Sequence, residues 1–529
     1  MKQCPRCKRD YYDETLSFCL DDGIRLTESA RPISEGITAM LPTFDANVGA
    51  AMQSDPRGYI ATPPDNAIAV LPFVNMSRGQ DIEYFSDGLA EELLNVLSKI
   101  RGLRVAARSS AFSFKGRPTN IEEIGRTLRV ASVLEGSIRM AGDRMRISVQ
   151  LVKVSDGYQL WSETYDRTMD DIFAIQDDIA RSVVEEIRAR LLDESIYPDT
   201  EQRIASEVAA AVKGRADDPE AQRLMLLGRH FLDRTTREDT AKAIGYFREA
   251  IDIDPEFALC WAELGRAYSI EAGRSWIPTT EGFARSREAT LRALSLEPNL
   301  AEGHAQLGRI QAVYDWDFAG AEGSYRRALE LAPGSSSVLD GASVLAYKLG
   351  RLGEAMELCR RVLDQDPLSP SFWHNLGLVS NAAGDLDESA KAYRRALELS
   401  PLRFVSHALL SQVLMELGRT PEAFEAAHAE PDDFWQLWAL AILHHLSGSA
   451  EEAETELQRL IAEYADGNAY QIAEVLAVHN KNDEAFEWLE RANGERDAGV
   501  THAKVNRRFC ALHSDPRWQT LLSKIGFET

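Results

Sequence analysis

The sequence between Asp218 and Pro401 repeats one short pattern in register. Prolines punctuate it, and the gaps from Pro298 to Pro333, Pro367 and Pro401 are 35, 34 and 34 residues long. Ten residues after each proline stands a glycine or a serine, and small residues recur twelve and five positions before it. The bulky residues six positions after each proline are Trp261, His304, Leu339, Trp373 and His407. This spacing predicts stacked helix pairs, because one pair cannot bury its apolar stripe alone.

The pattern resembles the tetratricopeptide repeat, a helix-turn-helix unit of about 34 residues. The resemblance implies roughly eight units over residues 217–510, with a C-terminal cap over residues 511–529. It also implies that the first helices of successive units line a concave face that binds extended peptides. Carried over by register, the residues expected to face this peptide-binding groove are Arg266, Arg309, Val344, Leu378 and Gln412, with Tyr347, His374 and Asn381 nearby.

Two arginines of this groove occupy the same register in neighbouring units. We hypothesise that Arg266 and Arg309 hold a carboxylate of the partner through charge-assisted hydrogen bonds. Pairing with Glu263 or Glu302 inside the array is the alternative.

The charge balance limits the classes of partner. Acidic residues outnumber basic ones, 83 to 59, and the formal net charge is −24. Such a charge repels nucleic acid and anionic lipid over much of the molecule. The N-terminus lacks the apolar run of a signal peptide, and no window approaches the roughly 20 apolar residues that span a membrane. We therefore expect a cytoplasmic protein with protein or peptide partners, no nucleic acid and no membrane; the oligomeric state stays open.

The N-terminal end carries three cysteines in a metal-binding arrangement. Cys4 and Cys7 are three positions apart, and so are Cys19 and Asp22. Side chains at this spacing form knuckles that hold one metal ion tetrahedrally. The stretch resembles small bacterial zinc ribbons, with Asp22 in place of their fourth cysteine. We expect a structural zinc ion, with Asp21 or water as other fourth ligands; a redox-active cysteine pair or a ribbon without metal are the alternatives.

Residues 65–195 have the pattern of an α/β domain. The apolar run from Ala67 to Phe73 predicts a strand, and Asp87 with Gly88 predicts the start of a helix. The further predicted elements are a strand over 103–107, a helix over 121–128, strands over 130–139, 144–154 and 158–165, and a helix over 172–191. This order predicts a mixed sheet covered by helices.

Five short sequence motifs give this domain a resemblance to the family related to the TolB amino-terminal domain. They are AVLPF ending at Phe73, YFSDG ending at Gly88, LEGS from Leu134, LWSE from Leu160 and IFAIQ from Ile172. The resemblance implies an interaction or regulatory domain with no reaction of its own. In that family the domain often precedes tetratricopeptide repeats, and in some members it accompanies an adenylyl cyclase catalytic, protein kinase or DNA-binding module.

Two charged groups of the α/β domain are candidate functional residues. Asp87, Glu91 and Glu92 stand together and could supply acid and base groups, although carboxylates at a helix start also simply complement the helix dipole. A basic stretch could dock an anionic ligand or an acidic partner surface, or be a solvated face. Its residues are Lys99, Arg101, Arg104, Arg108, Lys115, Arg117, Arg126 and Arg129.

The sequence as a whole predicts a multidomain chain with no enzymatic motif. Its parts are a zinc ribbon over 1–28, a flexible linker over 29–64, a mixed α/β sandwich over 65–195, a linker helix over 196–216 and an all-α superhelix. We expect a non-enzymatic scaffold or adaptor in bacterial signalling or regulation. The alternative is a ligand-sensing regulatory subunit of a cyclase, kinase or transcription regulator supplied by another chain. A transcription factor is disfavoured by the acidic total.

Overall fold

The computed structural model describes most of the chain after residue 62. The described residues are 2–3, 10–11, 27–28, 63–77, 80–100, 102–117, 119–141, 144–168, 172–191, 214, 216, 218–232, 236–274, 276–403 and 405–527. They belong to two compact units, Met1–Thr62 and Pro63–Thr529.

In the first unit three short strands form an antiparallel sheet. Strand β1 (Lys2–Gln3) pairs with β2 (Asp10–Tyr11) on one side and with β3 (Thr27–Glu28) on the other. The predicted zinc ligands Cys4, Cys7, Cys19 and Asp22 lie outside the described residues. The same holds for residues 29–62 and 196–213 of the two predicted linkers, so these predictions are not tested.

The second unit begins with an α/β domain. Its strands are β4 (Ala67–Val70), β5 (Val74–Asn75), β6 (Arg104–Val105), β7 (Ser132–Ala141), β8 (Arg144–Lys153) and β9 (Gln159–Thr168). Its helices are α1 (Gln80–Lys99), α2 (Arg108–Phe112), α3 (Ile121–Leu128) and α4 (Ile172–Leu191).

The sheet of this domain is mixed, as the order of elements predicts. Strand β4 lies between β6 and β7 and runs parallel to both, whereas β7, β8 and β9 form two antiparallel hairpins. All four residues of β4 are buried, which explains its uninterrupted apolar sequence. Strand β8 alternates buried and exposed residues, because only one of its faces meets the core. Helices α1 and α4 cover that face, and α3 packs on the other.

Helix α1 corrects one sequence-based prediction. It begins at Gln80, so Asp87 and Gly88 lie in its interior and do not start it. The helix dipole is therefore not the reason for the acidic group at Asp87, Glu91 and Glu92. A Cβ atom on Gly88 would stand 2.5 Å from Leu226, so this glycine allows close approach to the following helical array. Tertiary packing explains a glycine that the local pattern assigned to a helix start.

The rest of the unit is an array of eight antiparallel helix pairs within the described residues. The pairs are α5 (Pro219–Leu232) with α6 (Arg237–Ile253), α7 (Ala258–Gly273) with α8 (Thr279–Leu296), α9 (Ala301–Ile310) with α10 (Phe318–Leu331), α11 (Ser336–Lys348) with α12 (Leu352–Gln365), α13 (Pro370–Ala382) with α14 (Leu386–Leu399), α15 (Ser406–Glu416) with α16 (Thr420–His428), α17 (Asp433–Leu446) with α18 (Ala450–Tyr464), and α19 (Ala469–Val478) with α20 (Asn482–Gly494). A π-helical turn, Gln311–Asp315, extends α9. Two 3₁₀ helices (Ala498–Val505, Arg507–Leu512) and α21 (Pro516–Ile525) end the chain.

The bulky residue six positions after the proline has a specific hydrogen-bonding role. The indole Nε1 of Trp373 donates to the carbonyl oxygen of Pro367 at 2.8 Å, and that of Trp261 donates to Pro255 at 3.0 Å. The Nε2 atoms of His304 and His407 lie 2.9 and 3.0 Å from the equivalent carbonyls. In these four units the ring nitrogen thus ties the first helix to the turn before it, which explains why tryptophan and histidine recur there; Leu339, at the same position, has no such group.

Two contacts fix the α/β domain to the first four units of the array. In the first, Arg229 of α5 reaches Glu92 of α1 at 3.0 Å and Glu263 of α7 at 3.0 Å. All three side chains are buried. Burial opposes the charge on Arg229, but Glu263, Glu92 and Glu91 raise its pKa above the ordinary value. One cation therefore holds carboxylates from both the domain and the array.

In the second contact, the loop between β6 and α2 packs against the end of α12. The amide of Ala107 donates to the carbonyl of Gln365 at 2.8 Å, and the hydroxyls of Ser109 and Ser110 donate to Asp366. The Ser110 hydroxyl also accepts from the amide of Leu368 at 2.9 Å. Backbone and side-chain bonds together fix the register of the domain along the array.

The basic stretch of the domain takes part in these contacts. Lys99 pairs with Glu302 at 3.0 Å, while Arg104 and Arg129 pair with Asp364 at 3.5 and 3.3 Å. Arg108 and Lys115 pair inside the domain with Glu91 at 2.8 Å and Asp87 at 2.7 Å. Much of the stretch therefore meets acidic residues of this same chain, which neither of the two sequence-based interpretations had considered.

Among the described helices, none is both long and apolar enough to cross a membrane.

Candidate functional site

The concave face of the array is formed by the first helix of each pair. Helices α9 and α11, α11 and α13, and α17 and α19 contact one another directly. Close contact between alternate helices places them on the inner side of the curve, as the repeat pattern predicts. The structure divides this face into a part that the chain itself fills and a part that stays open.

The filled part is occupied by the C-terminal segment, residues 496–527. Its first 3₁₀ helix lies against α11 and α19, and its second lies against α19. Val500, Ala503, Phe509 and Leu512 are completely buried there. The segment is therefore part of the core of the array, and it extends the predicted cap of residues 511–529 toward the N-terminus.

The C-terminal segment also returns to the third unit. The Arg496 guanidinium stacks 4.5 Å from the centre of the Trp316 ring, and Phe527 stacks on Phe318 with ring centres 4.6 Å apart. Trp316 follows the π-helical turn with a φ of 61°, which lets the chain reverse into α10. These contacts close the array from α10 to α21 into a ring.

Three predicted groove residues, Tyr347, His374 and Asn381, lie in the filled part, whereas Gln412 is buried against the Ala439 carbonyl of α17. Tyr347 and His374 are 7% exposed and Gln412 is 3% exposed. His374 bonds the Ser406 hydroxyl at 2.8 Å, and the backbone carbonyl of Asn381 accepts from Arg507 at 3.1 Å. Burial, with a contribution from Arg403, lowers the pKa of His374 to about 3. An extended peptide cannot lie along these residues while the C-terminal segment covers them.

The two predicted groove arginines differ in the structure. Arg266 donates to Glu263 at 2.8 Å, which is the intramolecular alternative that the sequence offered. Arg309 is exposed on the open part, and it makes no ion pair or side-chain hydrogen bond with the described residues. Glu302, the other possible partner, is paired with Lys99.

Arg309 and three further cations near the ends of the inner helices are together called the cation cluster. They are Arg274 at the end of α7, Arg309 at the end of α9, Lys348 at the end of α11, and Arg403 before α15. None of the four has an ion-pair or side-chain hydrogen-bond partner in the described part of the chain. Lys348 is only 4% exposed, and the Nε atom of Arg403 is buried without a hydrogen-bond partner.

Electrostatic effects link members of the cluster in pairs. Burial and the charge of Arg309 lower the pKa of Lys348 to about 8. Burial and the charge of Arg274 lower the pKa of Arg403. The carboxylate in their midst is Asp340, which accepts a hydrogen bond from Asn375 at 2.8 Å. Burial raises the pKa of Asp340 to about 6 despite this bond and the nearby charges of Arg309 and Arg403.

The cluster can bind an anion, since guanidinium groups present several donors in a fixed plane. Sequence reasoning found Arg309 but missed Arg274, Lys348 and Arg403. Lys348 stands four residues after Val344, which occupies the register of Arg309 one unit later, so helical periodicity could have found it. Arg274 and Arg403 come from separate units, and only the curvature of the array brings them together.

Other chemistry has less support in the structure. Asp87, Glu91 and Glu92, the candidate acid and base groups, are engaged with Lys115, Arg108 and Arg229. Across the described ranges, no group of three or more His, Cys, Asp or Glu side chains is placed to hold a metal ion.

Two family models match parts of the chain. Residues 64–182 match the HilA/YgeH-like transcriptional regulator, second domain. Residues 311–370 and 374–437 match the tetratricopeptide repeat, which confirms the repeat prediction. These matches show neither the predicted TolB-related family nor the predicted zinc ribbon. The α/β domain matches the HilA/YgeH-like family instead of the TolB-related one.

Two curated proteins are similar over part of their length. The first, named "Putative adenylate cyclase 3" of Rhizobium meliloti (strain 1021), is 34% identical over 283 residues, covering 53% of this chain and 43% of the relative. The second is the cellulose synthase operon protein C of Xanthomonas axonopodis pv. citri, 31% identical over 156 residues, covering 28% of this chain and 10% of that protein. The chain spans less than half the length of these relatives.

Solved structures with similar helical arrays were also found. Pseudomonas aeruginosa PilF shares 19% identity over 42% of this chain and 96% of its own, with a TM-score of 0.33. The human IFIT1 dimer shares 15% sequence identity, covering 61% of this chain and 87% of its own, with a TM-score of 0.38. A tetratricopeptide protein of Thermus thermophilus shares 17% sequence identity, covering 37% of this chain and 99% of its own, with a TM-score of 0.31. TM-scores this low carry no further argument.

Proposed function

We propose that this chain is a non-enzymatic adaptor that binds an acidic segment of a partner protein through the cation cluster. The observation that carries the proposal is that Lys348, Arg309 and Arg403 have no ion-pair partner among the residues that the structure describes. Other arginines of the array pair with glutamates of neighbouring units, as Arg351 does with Glu322 at 2.9 Å. A buried cation without a partner is unfavourable, so an incoming carboxylate would stabilise it.

The arrangement of the cluster suits an extended acidic segment. Its cations come from four helices or loops in different units, so they follow the curve of the open part. Alternate side chains of an extended peptide point to the same side and are about 7 Å apart. Acidic residues at alternate positions could therefore meet successive cations. This retains the predicted role of Arg309 and assigns none to Arg266, which Glu263 holds.

A second candidate function is supported by one comparison. The Rhizobium meliloti relative bears the name of a cyclase, and more than half of it lies outside the similar region. The match to the second domain of a transcriptional regulator also concerns a part of a regulatory protein. On this proposal the chain is a regulatory module whose α/β domain passes a ligand signal to a catalytic or DNA-binding partner. Its contacts with four units of the array would carry that signal.

The adaptor proposal is tested with a labelled twelve-residue peptide that carries glutamate at alternate positions. We expect saturable binding to the full chain, measured by fluorescence anisotropy, and about tenfold weaker binding to the variant Arg309→Gln/Arg403→Gln, since each charge-assisted hydrogen bond contributes about 1.5–3 kcal/mol at most. The control variant Arg326→Gln/Arg419→Gln removes the same charge from exposed helix surfaces. Equal affinity for a glutamine-substituted peptide, or equal weakening in the control, would contradict the proposal.

Binding of the acidic peptide is also expected to depend on pH through Asp340. The groups that face it are Arg309, Arg403, Asn375 and Tyr325, whose pKa burial raises to about 12. As the pH falls from 7 to 5.5, Asp340 takes up a proton and its charge no longer opposes that of the peptide, whose glutamates stay largely ionised. We expect the affinity to rise about threefold to tenfold.

The variant Asp340→Asn gives the control for this prediction. It is expected to bind more tightly than the native chain at pH 7 and to lose most of the dependence on pH. A native affinity that falls or stays constant as the pH is lowered to 5.5 would show that Asp340 does not govern the site.

A further inference from the structure

A cavity of about 210 Å³ lies between the C-terminal segment and the inner helices of the array. It belongs to the filled part of the concave face, and its lining includes none of the four residues of the cation cluster. Its walls include four aromatic side chains, namely Tyr347, Trp435, Trp438 and Tyr470. The volume exceeds the roughly 150 Å³ of an engineered cavity that binds benzene in another protein. The space therefore accommodates a molecule of about ten non-hydrogen atoms.

Two hydrogen-bond acceptors in the lining have no partner. The side-chain oxygens Oδ1 of Asn381 and Oε1 of Gln471 are buried, and neither accepts a hydrogen bond from the described residues. Leaving a buried acceptor unsatisfied costs about 1–3 kcal/mol. The two side chains sit on different helices, α13 and α19, and both residues line the cavity.

The charged groups of the lining neutralise one another. Arg507 pairs with Glu416 at 2.8 Å, and Arg508 pairs with Glu474 at 3.5 Å. Burial, with the nearby charge of Lys348, lowers the pKa of His502 to about 3, so this ring is uncharged at neutral pH. His374, on the opposite wall, is uncharged for the same reason of burial. No net charge is left for an ionic ligand to pair with.

We propose that this cavity binds a small, uncharged, planar molecule that donates hydrogen bonds, such as an aromatic amide or a nucleobase. The aromatic walls contact its faces, and its N–H groups donate to Asn381 and Gln471. An anion would lose its hydration without gaining a counter-ion. A molecule without donors would leave both acceptors unsatisfied.

Binding at this cavity is linked to closure of the ring, because the C-terminal segment forms one wall. His502, Asn506 and Arg507 of that segment line the cavity together with residues of α11 to α19. A ligand that contacts both sides stabilises the closed arrangement in proportion to its occupancy. The site thus connects a small molecule to the stability of the whole array.

The experiment uses the full chain and three probes built on one ring. Benzamide is planar, uncharged and carries an N–H₂ donor; N,N-dimethylbenzamide lacks the donor, and benzoate carries a charge. We expect benzamide to raise the melting temperature and to bind saturably in calorimetry, with a Kd on the order of a millimolar for so small a ligand. The other two probes are expected to bind at least about tenfold more weakly.

Variants connect this binding to the cavity. Gln471→Met keeps the length of the side chain and removes the acceptor, and Asn381→Leu does the same on α13. Each is expected to weaken benzamide binding about tenfold, whereas Gln458→Met on the exposed surface of α18 leaves it unchanged. Quenching of tryptophan fluorescence by benzamide reports the site in any variant that retains its far-ultraviolet circular dichroism.

Three results would overturn the proposal. They are no benzamide binding up to about 10 mM, well above the expected Kd, equal binding of benzoate or N,N-dimethylbenzamide, and equal affinity in the native chain and both cavity variants. The first of these would mean that the cavity holds only water, which could satisfy the two acceptors.

Discussion

Replacing Arg229 with methionine is expected to lower the free energy of unfolding by about 3–5 kcal/mol, because it leaves buried carboxylates without their cation. Arg229 is 5% exposed, and its guanidinium holds Glu92 and Glu263 at 3.0 Å each. Glu263 keeps Arg266, and Glu92, which is 2% exposed, loses its hydrogen bond from Arg229. Urea unfolding followed by circular dichroism measures the change.

The pH dependence of this variant follows from the same contacts. Burial raises the pKa of Glu263, but Arg266 and Arg229 together lower it to about 2. A lowered pKa stabilises the native chain above the unfolded value near 4.3 and is lost only as the pH falls toward 2. Between pH 7 and pH 5 Glu263 therefore stays ionised in the native chain, and its contribution to the free energy of unfolding is retained. In Arg229→Met a stranded carboxylate can take up a proton, so we expect the difference between the two chains to narrow at pH 5.

Two controls separate the buried contact from a general effect of lost charge. Arg223→Met removes an exposed arginine of the same helix, which pairs with Glu220, and is expected to change stability by less than about 1 kcal/mol. The double variant Arg229→Met/Glu92→Gln removes both charges and should recover part of the loss. If the Arg229→Met variant has the same urea unfolding midpoint as the native chain, the contact does not hold the domain to the array.

Replacing Phe509 with alanine is expected to lower the free energy of unfolding by about 3–5 kcal/mol and to release the C-terminal segment. The ring is completely buried, with its centre 5.5 Å from that of Tyr470 and 5.6 Å from that of Trp518. Its loss leaves a cavity between the segment and α19. Hydrogen exchange should then increase around Tyr347 and His374, which the segment covers, and proteases should cleave after residue 496.

The comparison for this prediction is Leu402→Ala, because Leu402 is 76% exposed. It is expected to change stability by less than about 0.5 kcal/mol and to leave the protease pattern as it is. A Phe509→Ala chain with native stability, or with unchanged exchange at Tyr347, would show that the segment is not held through this ring.

The repeats could be predicted because their signals are local and recur many times. The glycines ten residues after a proline meet the second helix of their own pair; a Cβ atom on Gly377, for example, would stand 2.7 Å from the Tyr393 ring. Helices over 121–128 and 172–191 were also predictable, since each has an apolar face of helical period.

Contacts between distant parts of the chain could not be predicted in the same way. Nothing in the local pattern of residues 496–527 indicates that this segment fills the concave face. The sequence of the basic stretch likewise does not indicate that Glu302 and Asp364 are its partners. One difference between Arg266 and Arg309 was already visible in the sequence. Three residues before Arg266 stands Glu263, whereas Gln306 precedes Arg309 at the same distance. Neighbours at that spacing share a helix face, so the first arginine has a partner at hand and the second does not.

The stack of Phe527 on Phe318 has a mechanical consequence. A solenoid with a free end changes its pitch easily, since each unit contacts only its neighbours. Here Phe527, which follows α21, is fastened to the start of α10, and stretching must first break that aromatic contact and the one between Arg496 and Trp316. These two contacts therefore resist any change in the inner width of the array.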